Sequence, residues 1–339
     1  MQETTATRPI ACLGEALVLV SPPESGASAA TQLHLAGAEA NVAAGLSAIG
    51  VPAAWIGRLG DDEYGARISG ELRERGVDVS AVEIDSSRPT GHYAKHTETA
   101  DDGERRTTSH YQRSGSAASA MGPEFLDRTA VTAVLSRAAV VHCSGITAAL
   151  SDSCRALMYR LLSDRPGISG TVSFDVNWRE QLWSDGDPGV VVDLANRADL
   201  VLVGADEALR VMGTDDPVAL RSILPLPETI VVKDGAKRAV AVDRRSRTVE
   251  VPALRVDVVE PVGAGDAFAA GYLSGMVRGE DTETCLRRGH IGAAATLTVA
   301  SDSAPPPPDA LRDHMLTCSP RAWSTIVVSA AGFTPPGGR

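Results

Sequence analysis

Glu260-Pro261-Val262-Gly263-Ala264-Gly265-Asp266-Ala267-Phe268 is the stretch on which the reading of this chain turns. Two glycines flank an alanine, an aspartate follows, and a run of small and apolar residues begins at Ala269. The pattern predicts a tight loop that feeds a helix. The first amides of a helix have no partner within it and point outward, where they hold an anion. Gly263 and Gly265 carry no side chain to keep that anion from the backbone. Asp266 suits the helix dipole but repels a phosphate. A carboxylate beside an anion hole calls for a chemical reason, and taking the proton of an alcohol that attacks a phosphate is one. An ordinary helix N-terminus with Asp266 as a capping acid is the other reading of the same residues.

The rest of the chain supplies a large body for that loop. Its 339 residues are 43% hydrophobic and 22% charged, enough for a sizeable core. A net charge of -11 argues against nucleic acid as the main partner, though not against small anions. Cys12, Cys143, Cys154, Cys285 and Cys318 show no metal-ligand or redox spacing and are expected as free thiols in a reducing cytoplasm. No apolar run is long enough for a membrane span, so no membrane partner is expected. Gly-Lys-Ser/Thr and a Gly-x-Gly-x-x-Gly after the first strand are both absent, which removes a Walker loop and a dinucleotide fold.

From residue 130 onward, short unalternating strands (Val140–Cys143, Val172–Phe174, Leu200–Val203, Ile230–Val232) alternate with helices (Asp152–Leu162, Gly189–Asn196, Asp206–Met212). That order predicts an α/β fold with a mostly parallel sheet covered on both faces. Helices are also expected over Glu39–Ile49, Tyr64–Arg75, 265–277 and 282–298. Thr90–Thr97 and Arg106–Arg113 alternate polar and apolar residues about a turn at Asp101-Asp102-Gly103, as a flap over a site would. The last ten residues are expected to be mobile.

Three segments together carry a resemblance. Leu35-Ala36-Gly37-Ala38-Glu39-Ala40-Asn41-Val42-Ala43 resembles the N-terminal signature of the PfkB (ribokinase-like) carbohydrate kinases, Gly57-Arg58-Leu59-Gly60-Asp61-Asp62-Glu63-Tyr64-Gly65 resembles the segment that follows it, and the Gly-Ala-Gly-Asp loop resembles their C-terminal signature. The resemblance implies a ribokinase-like three-layer sandwich over 9–318, with a β-strand lid from segments near 15–36 and 88–115, and a C-terminal tail over 319–339. It implies Asp266 as general base and Gly263, Ala264 and Gly265 as anion hole, with ATP and Mg2+ as cofactors and a monovalent cation as a further possibility.

Tyr111-Gln112-Arg113, Asp175-Val176-Asn177-Trp178-Arg179, Ser144-Gly145-Ile146-Thr147 and Thr90-Gly91-His92-Tyr93 resemble the 2-keto-3-deoxygluconate kinase branch. The family's sugar contacts then fall on Gly37, Asn41, Tyr93, Tyr111, Arg113, Asn177, Arg179 and Asp266. Arginine forks suit a carboxylate, though Arg113 could be a solvated strand residue and Arg179 a structural partner of Asp175. Nucleotide contacts fall on Lys233, Gly235, Gly263, Gly265 and His290, and a metal contact on Glu207, through water. The sequence departs from the family at Glu260-Pro261, at Gly204, at Arg238 and at His290, where an asparagine near the adenine is usual. The implied reaction is ATP-dependent phosphorylation of 2-dehydro-3-deoxy-D-gluconate at its terminal hydroxyl. Another PfkB sugar kinase such as a fructokinase, and a non-catalytic sugar-acid-binding protein on the same fold, are the alternatives. An exposed lid edge would suit a homo-oligomer.

Overall fold

The short apolar runs are strands of one sheet, and the helices between them cover it. The structure is a computed structural model that describes residues 8–21, 32–99, 105–183, 186–299 and 304–337. Strand β1 (Ile10–Leu13) leads into β2 (Leu17–Ser21) and β3 (Gln32–Ala36), then α1 (Ala38–Ala48) returns to β4 (Ala53–Ile56). Next come β5 (Arg58–Gly60), α2 (Glu63–Glu74), β6 (Glu83–Asp85), β7 (His92–Thr99) and β8 (Arg105–Gln112). Strands and helices then alternate through α3 (Thr129–Arg137), β9 (Val140–Ser144), α4 (Gly145–Ala149), α5 (Asp152–Ser163), β10 (Thr171–Asp175), α6 (Pro188–Asn196), β11 (Leu200–Gly204), α7 (Ala205–Met212), α8 (Pro217–Ile223) and β12 (Thr229–Asp234). A hairpin of β13 (Arg238–Asp243) and β14 (Thr248–Pro252) precedes β15 (Arg255–Val256), α9 (Ala264–Val277), α10 (Thr282–Leu297), α11 (Asp309–Thr317), α12 (Pro320–Trp323), β16 (Val327–Ser329) and β17 (Gly332–Phe333).

The main sheet has the order β14-β13-β12-β11-β10-β9-β1-β4, parallel from β4 to β12 and antiparallel at β13 and β14. Successive side chains of a strand point to opposite faces. Ile10 and Cys12 therefore join one core layer, with Leu46 of α1 and Phe268 of α9, while Ala11 and Leu13 join the other, with Leu157 of α5 and Leu194 of α6. The result is the expected three-layer sandwich. Register brings Asp175 opposite Ser144 and Gly204 opposite Lys233, so the polar strand ends share one edge of the sheet. Open α/β sheets bind their ligands at that edge.

The lid is a second sheet of order β3-β2-β7-β8. Leu17, Leu19, Ala36 and Tyr93 give it a small apolar cluster of its own, which is how so polar a hairpin stays folded. Its expected turn at 101–103 lies outside the described residues.

Two features differ from the sequence reading. Helices α3, α4, α8, α11 and α12 were not anticipated; none has more than nine residues, too few for a clear period. The expected tail over 319–339 is built into the body across its described part. Trp323 is 1% exposed, Ile326 and Val328 are fully buried, and the Trp323 indole donates to the Pro252 carbonyl at 2.9 Å. Strand β16 pairs in parallel with β15, and Asp257 N donates to Val328 O at 2.9 Å.

Candidate active site

A cleft of about 1250 Å³ lies between the lid and the polar edge of the main sheet. At its floor α9 begins. Gly263, its N-cap, has φ of 83°, a left-handed conformation that a side chain makes costly. Asp266 follows in the first helical turn. Asn41, from the first turn of α1, donates from Nδ2 to Asp266 Oδ2 at 2.9 Å. Asp266 is half-buried, and desolvation pushes its pKa up to about 7 against the opposing Asn41 bond, with Asp175 adding to the rise.

Gly265 has no conformational need to be glycine. A Cβ built there would stand 3.7 Å from Lys233 Nζ, so the missing side chain keeps open the space in front of a cation. Lys233, at the end of β12, pairs with Asp175, at the end of β10, at 2.7 Å. Burial works against the lysine's charge, but Asp175 and Glu207 outweigh it and its pKa is raised. Asp175 therefore belongs to Lys233, and the alternative of an Asp175–Arg179 bridge is replaced by this pair. Glu207 of α7 accepts from Gly204 N at 2.9 Å, closing the start of its helix, and its pKa is raised by burial. That bond sits where the sequence departs from the family: with glycine at 204, Glu207 caps the backbone alone.

Arg179 reaches the cleft by way of Asn177, whose φ of 39° turns the chain at the end of β10. The Arg179 side chain is 55% exposed, with Glu207 Oε1 at 3.7 Å. Across the cleft Tyr93 and Tyr111 stack at 4.8 Å, and the Arg113 guanidinium lies 5.0 Å from the Tyr111 ring. Gly37, with φ of 116°, passes so close to the Glu15 carbonyl that a Cβ would stand 2.5 Å from it. Thus Gly37, Asn41, Tyr93, Tyr111, Arg113, Asn177, Arg179, Glu207, Lys233, Gly263, Gly265 and Asp266 all line one cleft.

Three predicted residues do not: Ala264, inside the first turn of α9 between the two lining glycines, His290 and Gly235. His290 is buried, its Nε2 is 3.0 Å from the Val251 carbonyl and its ring meets Phe268 edge-on, so it is a core residue with a pKa lowered by burial to about 4. Gly235 sits on the exposed turn between β12 and β13, outside the cleft lining. Two acids were missed. Glu15 ion-pairs with Arg113, and Glu39, fully buried in α1, accepts from Ser144 Oγ at 2.7 Å and Thr147 Oγ1 at 3.0 Å, its pKa raised by desolvation to about 7. Their signal was an acid set inside an apolar run.

Among the described residues no three His, Cys, Asp or Glu side chains cluster as a ready metal cage. Asp175 keeps one buried oxygen, Oδ1, without a partner, and Glu207 lines the same cleft. Two carboxylates suit a magnesium ion held largely by water and phosphate oxygens.

Comparison with known proteins fits this geometry. Residues 7–309 match the family described as pfkB family carbohydrate kinase. The chain is 35% identical over 313 residues to a 2-dehydro-3-deoxygalactonokinase of Haloferax volcanii, covering 89% of this chain and 95% of that protein. It is 33% identical over 302 residues to a 2-dehydro-3-deoxygluconokinase of Thermoproteus tenax, covering 87% and 90%. The crystal structure of a PfkB protein from Polaromonas sp. JS666 superposes with a TM-score of 0.72 at 32% identity, over 85% of this chain and 95% of that one. With the glycine loop at the head of α9, the paired Asn41 and Asp266 and the lidded cleft on one ribokinase-like body, the chain belongs to the pfkB family of carbohydrate kinases.

Proposed function

We propose that this kinase transfers the γ-phosphoryl group of ATP to the terminal hydroxyl of 2-dehydro-3-deoxy-D-gluconate. The observation that carries the reading is Asp266, a carboxylate with its pKa raised to about 7, beside a helix N-terminus and Lys233. A base poised near the working pH is suited to accept the hydroxyl proton. As the sugar oxygen bonds to phosphorus and the bond to ADP breaks, that proton passes to Asp266. The amides of Gly263, Ala264 and Gly265, with the Lys233 ammonium, face the charge on the transferring group. Magnesium bound with ATP would neutralise phosphate charge, and Asp175 and Glu207 are the cleft carboxylates that would hold it through water. The Tyr93–Tyr111 stack shields the sugar from bulk water.

Arg179 supports the choice of a sugar acid, as an exposed cation of the cleft with its carboxylate neighbour Glu207 only at 3.7 Å, and the names of the two relatives point the same way. One observation favours a neutral ketose such as fructose instead: Arg113 already has a carboxylate partner in Glu15. A coupled assay of ATP consumption across 2-dehydro-3-deoxy-gluconate, its galactonate epimer and fructose decides between them. The acids are expected to give the highest kcat/KM, and Arg179→Ala is expected to raise KM for the acids by roughly tenfold while leaving fructose little changed. Preference for fructose, or equal effects of Arg179→Ala on both, would sink the sugar-acid reading.

A further inference from the structure

Glu15 takes no part in the chemistry above, yet it is buried in the cleft wall, 1% exposed, where the lid joins the body. It lies between β1 and β2. Arg113, its partner, directly follows β8. Gly91, directly before β7, completes the junction: a Cβ there would come within 3.3 Å of Glu15 Oε1 and 3.6 Å of Arg113 Cβ. The ion pair thus stands at the roots of three of the four lid strands.

The pair is incompletely satisfied. Arg113 Nη2 donates to Glu15 Oε2, while Glu15 Oε1 and Arg113 Nε have no partner in the structure. Burying a carboxylate is costly unless its charge is met, and Arg113 meets it. The reverse also holds. The Arg113 side chain is 11% exposed against 55% for Arg179, and its charge is already answered. A carboxylate approaching Arg113 from the cleft feels the guanidinium and, behind it, a second fixed carboxylate. The two effects oppose each other at close range, where little solvent screens them. Of the two arginines expected to meet the sugar acid, Arg113 is held close by its partner, while Arg179 is more exposed and has Glu207 only at 3.7 Å.

We propose that Glu15 is a specificity-determining residue: as the fixed counter-charge of Arg113, it sets how strongly the cleft prefers an anionic sugar to a neutral one. The inference rests on the reading of the cleft as a sugar-acid site. It makes Arg113 a tempered cation. The product, which carries a phosphate as well as the carboxylate, is thereby held less tightly than two bare arginines would hold it.

The test uses the full chain and the ratio of kcat/KM for 2-dehydro-3-deoxy-D-gluconate to that for fructose. Glu15→Gln keeps the length and an oxygen that accepts from Arg113 but loses the charge. The ratio is expected to rise by roughly threefold or more. An unchanged ratio in a variant that melts as the wild type does would overturn the proposal. Should Glu15→Gln not fold, Arg113→Gln and the double variant Glu15→Gln/Arg113→Gln carry the test. Arg113→Gln leaves Glu15 unanswered and lowers the ratio; removing the Glu15 charge as well is expected to restore it by roughly threefold or more. Equal ratios in the single and double variants would overturn the proposal too. If the wild type phosphorylates fructose and not the acid, the sugar-acid reading fails on its own. The Glu15 inference is then read from competitive inhibition by gluconate against sorbitol: Glu15→Gln must tighten gluconate relative to sorbitol, and no change refutes it.

Discussion

Asn41 and Asp266 stand 225 positions apart in the chain and are joined by one hydrogen bond, Nδ2 to Oδ2, at 2.9 Å. The bond links the first turn of α1 to the first turn of α9. Desolvation raises the Asp266 pKa and the Asn41 amide holds part of that rise in check. On the proposed mechanism, the pair therefore sets the pH at which Asp266 is ready to act as a base.

For the wild type, kcat/KM is expected to fall as pH drops through about 7, where Asp266 takes up a proton and ceases to be a base. Asn41→Ala removes a donor that favours the carboxylate, so the fall should begin at a higher pH. A pH–rate profile with an unmoved acid limb in Asn41→Ala would show that another group controls it.

Asp266→Asn keeps the shape and loses the base. Turnover should drop by roughly 100- to 10,000-fold while ATP binding persists. Stability should move the other way. A carboxyl whose folded pKa lies above its unfolded value holds extra protons when folded, so its contribution to stability is lost as pH rises from the unfolded value towards about 7. Melting curves of Asp266→Asn should lie above wild type at pH 8 and converge with it near pH 4. A variant less stable than wild type at pH 8 would mean that the carboxylate is not under desolvation strain.

The two loop glycines should separate cleanly. Gly263→Ala forces a side chain into a φ of 83° and should cost about 1–2 kcal/mol of stability, seen as a lower denaturation midpoint. Gly265→Ala places a methyl 3.7 Å from Lys233 Nζ, in ordinary contact. Its stability should hold, because alanine is the better helix former, while kcat/KM for ATP falls by about tenfold or more as the methyl takes the anion's place. If Gly265→Ala turned over normally, the anion would not approach the helix there.

Lys233→Met strands Asp175, whose side chain is 4% exposed and already has one oxygen without a partner. Removing one member of a buried pair costs about 3 kcal/mol. Lys233→Met/Asp175→Leu should regain most of that stability but none of the activity. Denaturant titrations with a coupled assay read both at once.

The turn from Gly263 into α9 was legible because every part of it is local: two glycines, one acid and a helix within a few residues. The alternating strands and helices were legible for the same reason. The Glu15–Arg113 pair was not, since its members are 98 positions apart and Arg113 alone reads as free to bind a carboxylate. His290 misled because histidine suits a base edge as well as a core, and only its bond to the Val251 carbonyl tells which. Trp323, Ile326 and Val328 were hidden by the prolines and glycines around them. Nothing local says that a short apolar run near Pro320 will find a partner at Arg255.

That last partnership places a constraint on the protein's birth. The backbone from Arg255 to Glu260, which leads to the anion hole, is held on one side by β16 and on the other by Leu297 at the end of α10. Residues 327–329 leave the ribosome after every other element of the site has been made. A nascent chain can hence fold its sheet and its lid while the strut behind the Gly263–Asp266 loop is still missing. The kinase should come alive last, once synthesis has passed Ser329.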